Sequence, residues 1–558
     1  MAPTPDPHVQ AASPRRWLVL AVMCLSLLLI VMDNTIVNVA IPTLQRDLGA
    51  STSELQWVVD SYVLVFAGLL LTMGALGDRF GRRGALALGL VIMGVAAVLS
   101  ALADSAGQLI ATRAVMGVGG ALVMPATLSI ITNVFTDRRE RAQAIAIWTA
   151  TAGMAVAVGP VTGGWLLEHF WWGSVFLINV PVVVVALVLG QLLVPTSRDP
   201  DALPVDVPGA LLSIGGLVAL VWAIIEGPTG WTEPAIVGAF ALAAVLLGAF
   251  LVWERRARFP MLDLGFFRNP RFSAASGAIT LTFFAMFGSL FLMTQFLQSV
   301  LGYSALEAGI RLLPIAATQM VVAPLSARIV ERIGAKIVVA TGLLVAAAGL
   351  LLAGALTPGS TYGDVVASFV VLAAGLALVM PPATESIMGS LPLAKAGVGS
   401  AVNDTTRQVG GALGVAVLGS TMSSTYRPRV TDSIDGLPVP TDVAHAITDQ
   451  VGAAMAVAGE VGGEPGRMLA AAASQGFVDG MGAAFTIGAV ALAIGAVMVG
   501  VFLPAHAPDH DAPAAGGPGP GEPASGDPAA GGPNTGADRA PTVVPPGDED
   551  VSPAPATT

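Results

Sequence analysis

The chain is built from long apolar stretches that are separated by short polar segments. A helix needs about 20 mostly apolar residues to cross the hydrocarbon core of a bilayer. Stretches of that length occur fourteen times, so the sequence predicts an all-α integral membrane protein with fourteen transmembrane helices. The predicted spans cover residues 17–40, 55–76, 84–103, 107–130, 141–164, 172–194, 208–226, 234–253, 272–297, 307–329, 335–356, 365–388, 398–421 and 481–503.

Composition supports a membrane protein and limits the kinds of site that the chain can form. Of the 558 residues, 54% are hydrophobic and 11% are charged, whereas a soluble domain has about 25% charged residues. The single cysteine, Cys24, lies in the first span, which excludes a disulfide pair and a Cys-based metal site. The sequence contains no nucleotide-binding P-loop, and no His/Glu metal cluster or Ser-x-x-Lys pair at membrane depth. We therefore expect a protein that is not an enzyme and has no metal site.

The distribution of Lys and Arg predicts the orientation. An even number of spans places both termini on one side of the membrane. With that side in the cytoplasm, the inner segments hold nineteen of the 26 Lys and Arg residues and the outer segments hold five, as the positive-inside rule requires. The apolar run after Arg15 and Arg16 continues without a small-x-small cleavage site, so we expect a first span rather than a cleaved signal peptide.

A short charged hairpin occurs twice and indicates an internal duplication. Asp78-Arg79-x-Gly81-x-Arg83 follows the second span, and Glu331-Arg332-x-Gly334-x-Lys336 follows the tenth span 253 residues later. Duplicated bundles are a common plan of transporters, so the repeat predicts six helices, an inserted pair and six further helices. The predicted parts are a cytoplasmic N-terminal segment (1–16), a first bundle (17–194), the inserted pair with its cytoplasmic loops (195–271), a second bundle (272–503) that includes an outer loop (423–480), and a disordered cytoplasmic tail (504–558).

Charged residues inside the predicted spans are functional candidates, because a charge at the bilayer centre costs about 3 kcal/mol or more. At about 1.5 Å per residue, three of them lie roughly 8–10 Å below the outer surface, which predicts one polar cluster lining an outward-facing cavity. These three are Asp33, Asp60 and Arg113. The other two, Asp404 and Arg407, are predicted to lie in the inner half of the second bundle.

These charges have a coupling interpretation and a structural one. A carboxylate beside a low-dielectric cavity can take up a proton near neutral pH, and a neighbouring arginine holds it ionised. Exchange of a proton for a cation, or for a rearranged ion pair, then couples proton flow to a conformational change. In the structural interpretation, Asp33 belongs to a packed polar kink, and Arg113 pairs with Asp33 or with a carbonyl group. Asp404 and Arg407 then pair with each other, and Asp60 is solvated near the interface.

Span five ends in a proline and several glycines. Proline removes a backbone hydrogen bond and kinks a helix, and glycines allow neighbouring helices to approach closely. The run from Gly159 and Pro160 to Gly163 and Gly164 therefore predicts a bent helix that closes against a neighbour. Generic glycine packing of membrane helices is the alternative.

Together these residues resemble the major facilitator superfamily, and specifically its fourteen-span drug/proton antiporter family. The resemblance covers most of residues 17–503. It rests on motifs at Met32 to Pro42, Gln56 to Tyr62, Gly74 to Arg83, Arg113 with Gly117, Gly159 to Gly164, Trp171 to Pro181, and Gly397 to Gly414. The sequence departs from the family at Met116, Ala155 and Trp172, where Gln, Gly and Arg are usual.

The resemblance implies a role for each group of candidate residues. Acidic residues for protonation or cation recognition would be Asp33, Asp60 and Asp404. Arg113 would be the proton-coupling arginine, and Arg407 belongs to the matching stretch of span thirteen. A cytoplasmic gate that holds the outward-facing state would include Gly74, Asp78, Arg79, Gly81, Arg82 and Arg83. The antiporter motif that limits leak would be Gly159, Pro160, Gly163 and Gly164. Uncharged Thr318 and Gln319 stand where some drug exporters have a further acid, which argues against recognition of dications.

The predicted function is proton-coupled efflux of lipophilic small molecules, such as drugs or antibiotics, by alternating access between two bundles. We expect a monomer in the bacterial cytoplasmic membrane with both termini inside. It would bind its substrate and protons within the lipid bilayer, use the proton gradient without a cofactor, and have no nucleic-acid partner. The alternatives are a dedicated exporter of one secondary metabolite and a proton-coupled importer. A channel or a membrane enzyme is disfavoured.

Overall fold

The computed structural model of the chain describes residues 15–135, 137–197, 206–260, 262–390, 396–434 and 441–503. Nearly all of these residues are helical. The predicted tail and residues 1–14 of the predicted N-terminal segment lie outside the described residues.

The described helices are numbered in chain order. The first nine are α1 (Arg16–Leu48), α2 (Thr52–Phe80), α3 (Arg82–Ala101), α4 (Ala106–Val134), α5 (Arg138–His169), α6 (Ser174–Leu177), α7 (Asn179–Leu193), α8 (Val207–Glu226) and α9 (Pro234–Arg256). The others are α10 (Pro270–Gln295), α11 (Ala305–Arg311), α12 (Leu313–Ile333), α13 (Ala335–Gly354), α14 (Tyr362–Met388), α15 (Ala396–Ile434), α16 (Thr441–Asp449), α17 (Val451–Val461) and α18 (Gly463–Phe502). Short 3₁₀ turns occupy Gly227–Thr229 and Leu264–Arg268, and a π-helical turn at Phe296–Val300 follows α10.

Thirteen helical segments of the described chain are long and apolar enough to cross a membrane. They match thirteen of the predicted spans, because α6 with α7, and α11 with α12, each form one crossing. The remaining predicted span, 398–421, lies in α15, which is not among the thirteen and carries Asp404 and Arg407. Helix α15 packs against α2, α10 and α18. The predicted all-α membrane fold is confirmed.

The predicted outer loop 423–480 is largely helical where the structure describes it. Helix α15 continues to Ile434, and α18 begins at Gly463, well before the predicted span 481–503. Hydropathy identifies the most apolar part of a helix, whereas α18 also includes the more polar, Ala-rich residues 463–480. Helices α16 and α17 lie between them, and we call these two helices the outer segment.

The two halves repeat one helix contact. A Cβ added to Gly89 in α3 would lie 2.8 Å from the Gly119 carbonyl oxygen in α4, and a Cβ on Gly119 would lie 2.8 Å from the Gly89 carbonyl oxygen. In the second half, Gly342 in α13 and Gly375 in α14 approach each other in the same way, at 2.9 and 2.7 Å. Gly89 and Gly342 are 253 positions apart, which is also the spacing of the two charged hairpins. This correspondence supports the duplication.

The two helices of the predicted inserted pair, α8 and α9, have different neighbours. Helix α9 packs mainly against α8, and most of its side chains lie on the surface of the protein. Helix α8 also packs against α2 and α15, one from each bundle, and its Ile214 lies against Gly68 of α2. The first inserted helix therefore contacts both bundles where α2 meets α15.

The glycine contact in the second bundle can be tested by adding one methyl group. Gly375→Ala would push the new Cβ into the backbone of α13, and overpacking of this kind costs about 1–3 kcal/mol. We expect a lower melting temperature for the purified protein. Gly248→Ala is the matched control, because a Cβ there meets nothing within 4 Å. Equal melting temperatures for the two variants would contradict the close α13–α14 contact.

Candidate functional site

The first candidate pair, Asp33 and Arg113, is joined in the structure. Nη1 of Arg113 in α4 donates to Oδ2 of Asp33 in α1, and both side chains are at most 1% exposed. Nε of Arg113 also donates to the Val58 carbonyl oxygen of α2 at 3.1 Å. The guanidinium carbon lies 4.5 Å from the centroid of the Tyr62 ring. Arg113 thus pairs with both a carboxylate and a carbonyl group.

A fourth helix completes this site through a residue that the sequence did not single out. Nδ2 of Asn179, at the start of α7, donates to Oδ1 of Asp33 at 2.9 Å. Asn179 is fully buried. Asn179 lies within the motif from Trp171 to Pro181, but nothing in the sequence connects it with a carboxylate 146 positions away.

Glycine in α4 sets how closely α4 approaches α2. A Cβ on Gly117 would lie 2.6 Å from the Tyr62 carbonyl oxygen, and one on Gly120 would lie 2.9 Å from the Tyr62 hydroxyl oxygen. Because these two glycines have no Cβ, the Tyr62 ring can pack beside Arg113. Arg113 lies in α4, one helical turn before Gly117. The α2–α4 contact therefore positions the arginine that meets Asp33.

Asp60 is separate from the Asp33–Arg113 pair. It is fully buried in α2, and among the described residues neither of its carboxylate oxygens has a hydrogen-bond partner. Gln56, four residues earlier and therefore on the same helix face, donates to the carbonyl oxygens of Val415 and Ala416 in α15 at 3.0 and 3.2 Å. Asp60 thus lies on the side of α2 that faces the second bundle.

The predicted single cluster lining an outward-facing cavity needs correction on two points. Asp33 and Arg113 form one group, whereas Asp60 lies on the face of α2 that packs against α15. All three side chains are at most 1% exposed, so they line no open outward cavity in this structure. The reason is that the two predicted bundles are in contact at the helix ends that the sequence predicts to face outward. An ionised carboxylate without a partner is costly in such a buried place.

Asp404 and Arg407 lie together in the second bundle. Nη1 of Arg407 is 3.7 Å from Oδ1 of Asp404, and both side chains are partly exposed. Nη2 of Arg407 donates to the Thr384 hydroxyl of α14 at 3.2 Å, and the guanidinium lies 5.4 Å from the centroid of the Phe283 ring in α10. The pair therefore connects three helices of the second bundle.

The first charged hairpin contacts the chain just after α7. Gly81 adopts φ +118°, a conformation that favours glycine, between α2 and α3. The Arg82 backbone N–H donates to the Ser197 carbonyl oxygen at 3.0 Å, and Nη1 of Arg83 donates to the Val194 carbonyl oxygen at 3.3 Å, both just after α7. Arg79 is exposed. The side chain of Asp78 lies outside the described part of the chain. A Cβ on Gly74, earlier in α2, would meet Pro125 of α4 at 3.4 Å.

The motif in α5 packs in two directions. Side chains at Gly159 and Gly163 would collide with Thr35 and Ile36 of α1, in the same bundle. Gly164 faces the second bundle, where an added Cβ would lie 2.5 Å from Cα of Leu306 in α11. The carbonyl group of Pro160 packs against Gly309 of α11. The motif therefore forms the close contact between α5 and α11.

Further hydrogen bonds join the predicted bundles at the helix ends that are predicted to face outward. Nε2 of Gln298, in the π-helical turn, donates to the Val39 carbonyl oxygen of α1 at 2.9 Å. The carboxylate of Glu168 in α5 accepts from the Ser304 hydroxyl and from the Leu306 N–H, the latter at 3.3 Å.

The outer segment adds two contacts with the first bundle. The Thr52 hydroxyl donates to the Asp449 carbonyl oxygen, and Nε2 of Gln450 donates to the Ala50 carbonyl oxygen at 2.5 Å. We call the whole set of contacts between the predicted bundles at their predicted outer ends the outer closure.

A helical membrane fold that repeats one close helix contact at an interval of 253 residues and buries a carboxylate–arginine pair is typical of a secondary transporter. The chain belongs to the Major Facilitator Superfamily, whose family profile matches residues 23–415. This membership confirms the superfamily that the motifs resembled.

Relatives and solved structures agree with this assignment. The multidrug efflux pump LfrA of Mycolicibacterium smegmatis is 37% identical over 495 residues, which cover 89% of this chain and 98% of LfrA. The tetracenomycin C resistance and export protein of Streptomyces glaucescens is 36% identical, covering 89% of this chain and 94% of that protein. A bacterial homolog of the human lysosomal transporter Spinster, in an inward-facing and unoccupied conformation, shares the fold with a TM-score of 0.62 at 22% identity, covering 87% of this chain and 98% of that one.

Removal of Arg113 should destabilise the protein in a pH-dependent way. Breaking a buried ion pair by removing one partner costs about 3–5 kcal/mol, but a protonated Asp33 needs no cation. We therefore expect Arg113→Gln to lower the melting temperature more at mildly alkaline than at mildly acidic pH. The double variant Asp33→Asn, Arg113→Gln should recover part of the loss at alkaline pH. Additive losses in the double variant would show that the two residues act independently.

Proposed function

We propose that this protein is a proton-coupled antiporter that exports lipophilic small molecules by alternating access. The observation that carries the proposal is the buried Asp33–Arg113 pair inside the first of two duplicated bundles. A carboxylate that is held ionised by an arginine in a buried site can exchange that partner for a proton when the site opens. One proton that crosses 100 mV releases about 2.3 kcal/mol, which is enough to drive a conformational change.

The relatives support the export direction and the type of cargo. LfrA is a multidrug efflux pump, and SmvA of Salmonella typhimurium, 33% identical over 428 residues, is a methyl viologen resistance protein. The first name states a range of drugs, and the second states one compound. The uncharged Thr318 and Gln319 still distinguish this chain from exporters with an acid in the corresponding span, so we propose monocationic and neutral lipophilic substrates.

The transport cycle that we propose begins from an inward-facing state. The outer closure supports this assignment, because its hydrogen bonds and glycine contacts join the two bundles in their outer halves. Opening of the outer closure would expose Asp60, which lies on the face of α2 toward the second bundle, to protons from outside. Proton binding there, and at Asp33, would remove the negative charges that are costly to bury when the closure forms again.

The other candidate residues take roles according to their contacts. Asp404 and Arg407 would contribute a polar, partly exposed surface to the substrate path in the second bundle. The hairpin with Gly74, Asp78, Arg79, Gly81, Arg82 and Arg83 would form the cytoplasmic gate of the outward-facing state. The motif with Gly159, Pro160, Gly163 and Gly164 would limit leak by closing α5 against α1 and α11.

We propose a monomer in the bacterial cytoplasmic membrane with both termini inside and with the proton gradient as its energy source in place of a cofactor. One relative supports a second candidate function, the export of a single metabolite. The Streptomyces glaucescens protein is a resistance and export protein for one antibiotic, tetracenomycin C. Breadth of substrate range separates the two functions.

Substrate-driven proton release tests the proposal. Inside-out vesicles with an acid interior would be challenged with tetraphenylphosphonium and with a set of neutral lipophilic antibiotics. We expect each transported compound to collapse the pH gradient in wild-type vesicles, and the response to fall to background in Asp33→Asn. Asp60→Asn should also lose coupling, because the carboxylate on the α15-facing side of α2 can no longer take up a proton.

Asp364→Asn is the matched control, since it makes the same chemical change at an exposed carboxylate at the start of α14. It should leave the response unchanged. A response that survives in both Asp33→Asn and Asp60→Asn would refute the proposed proton sites. Collapse with one antibiotic alone would favour the dedicated exporter.

A methyl group at Gly164 should hold the outer closure open. The new Cβ would meet the backbone of α11, and a clash of about 1.4 kcal/mol shifts a two-state equilibrium tenfold. We expect Gly164→Ala to increase labelling of a cysteine at buried Ala50 by a hydrophilic maleimide, in a Cys24→Ser background, and to reduce transport. Gly153→Ala in the same helix is the control, because a Cβ there meets nothing within 4 Å. If both variants label like the parent, α5 does not close against α11 through Gly164.

A further inference from the structure

We propose that Asn179 is a positioning residue for Asp33, which it holds in place in both protonation states of the carboxyl group. The inference rests on the proposed proton coupling at Asp33 and names a residue that sets its properties. It follows from three features of the site: the donors that face Asp33, the unused oxygen of the Asn179 amide, and the position of that amide at the start of α7.

The groups around Asp33 differ in whether they can donate or accept hydrogen bonds. An ionised carboxylate only accepts hydrogen bonds, whereas a protonated carboxyl group also donates one. Arg113 is a donor without an acceptor, so it serves only the ionised form. Asparagine carries an NH₂ donor and a carbonyl acceptor on one planar group. Of the two described side chains that donate to Asp33, Asn179 is therefore the one that can also accept a hydrogen bond from the protonated form.

The structure leaves the acceptor of Asn179 available. Its Nδ2 donates to Asp33, while its Oδ1 is buried and has no hydrogen-bond partner among the described residues. A rotation of about 180° around the terminal torsion, which is broad for asparagine, would turn Oδ1 toward the carboxyl group. A buried polar atom without a partner is costly, so protonation of Asp33 gives this oxygen a donor.

The position of Asn179 on the chain fits a dedicated role. It is the first residue of α7, next to the break at Ile178 between α6 and α7. Its Oδ1 accepts no hydrogen bond from the start of α7, as far as the structure describes the chain. The amide is directed instead to α1, so the break between the two helices places one polar group beside Asp33.

Among the described residues, the charged and titratable groups recorded in interaction with Asp33 are Arg113 and Tyr62. Helix α2 presents Tyr62, which interacts electrostatically with both Asp33 and Arg113, and α4 presents Arg113. Helices α5 and α10 also pack against α1, and their ionisable residues lie near the helix ends. The ionisable residues of α11 and α17, which contact the outer part of α1, are Glu307, Arg311 and Glu460.

Removal of the Asn179 amide should shift the pH midpoint of proton release in one direction. Hydrogen bonds to a charged group are worth more than those between neutral groups. Loss of Asn179 therefore destabilises the ionised form of Asp33 more than the protonated form. We expect Asn179→Leu to move the pH of half-maximal, substrate-driven proton release upward by about one unit, because one pH unit corresponds to a tenfold change in proton affinity.

Asn38→Leu is the matched control. Asn38 is also a fully buried asparagine with an unused Oδ1, but its Nδ2 donates to the Asn34 carbonyl oxygen within α1. Its replacement removes a similar hydrogen bond without changing a donor to Asp33, so the pH midpoint should stay that of the wild type. Asn179→Gln keeps both donor and acceptor and should return the midpoint toward the wild-type value.

A second measurement separates this inference from the proposed function and does not need transport. The infrared C=O stretch of a protonated carboxyl group, assigned to Asp33 by its loss in Asp33→Asn, can be followed against pH in the purified protein. Its frequency should rise in Asn179→Leu, because the protonated group loses an acceptor, and its titration midpoint should move upward as in the vesicles.

The outcomes are distinct. Absence of substrate-driven proton release in the wild type would refute the proposed function. A wild-type response with a pH midpoint and a C=O frequency that are unchanged in Asn179→Leu would refute the role of Asn179 alone. Equal shifts in Asn179→Leu and Asn38→Leu would also refute it, since they would reflect general loosening of the first bundle.

Discussion

The first bundle is arranged around one requirement: the charge of Arg113 has to be compensated inside the membrane. Four helices take part, since α1 provides Asp33, α2 provides the Val58 carbonyl group and the Tyr62 ring, α4 carries the arginine, and α7 directs Asn179 to the same carboxylate. A buried ion pair is stable only when its remaining donors and acceptors are satisfied. Any change in the charge of Asp33 therefore alters the contacts of four helices at once, which gives protonation a direct effect on the packing of the bundle.

The contact between the two bundles depends on backbone atoms more than on matched side chains. Gly164 and Gly309 let α5 and α11 approach to backbone distance, and the amides of Gln56 and Gln298 each donate to carbonyl oxygens of the opposite bundle. None of these contacts involves a buried charge pair between the bundles. Such a closure can separate and form again without leaving an unpaired charge, whereas Asp60 lies beside it on α2. The closure and the acidic residue that we propose as proton carrier thus share one face of α2.

Much of the fold follows from the sequence, and less of the site does. Apolar length predicts the membrane helices, and the repeated hairpin predicts a duplication that the Gly89–Gly119 and Gly342–Gly375 contacts support. Depth along a helix places Asp33, Arg113 and Asp60 at one level and therefore predicts one cluster. Depth does not give the direction of a side chain around the helix axis, and Asp60 lies on the face of α2 that points toward α15. Asn179 was missed because a neutral amide, unlike a charged side chain, does not stand out in a hydropathy pattern as costly to bury. The extension of α15 to Ile434 was missed because hydropathy reports apolar length and not helix length.

The carbonyl acceptors of the outer closure have a consequence for how such transporters diversify. The hydrogen bonds of Gln56 end on Val415 and Ala416, but any helical residue at those positions offers the same acceptor. Side chains on α15 can therefore change over generations without removing the bond that joins it to α2. Selection by a new toxic compound can act on the residues that contact the compound, while the closing mechanism is inherited unchanged. Relatives that differ in cargo can thus descend from one ancestor without passing through a form that leaks.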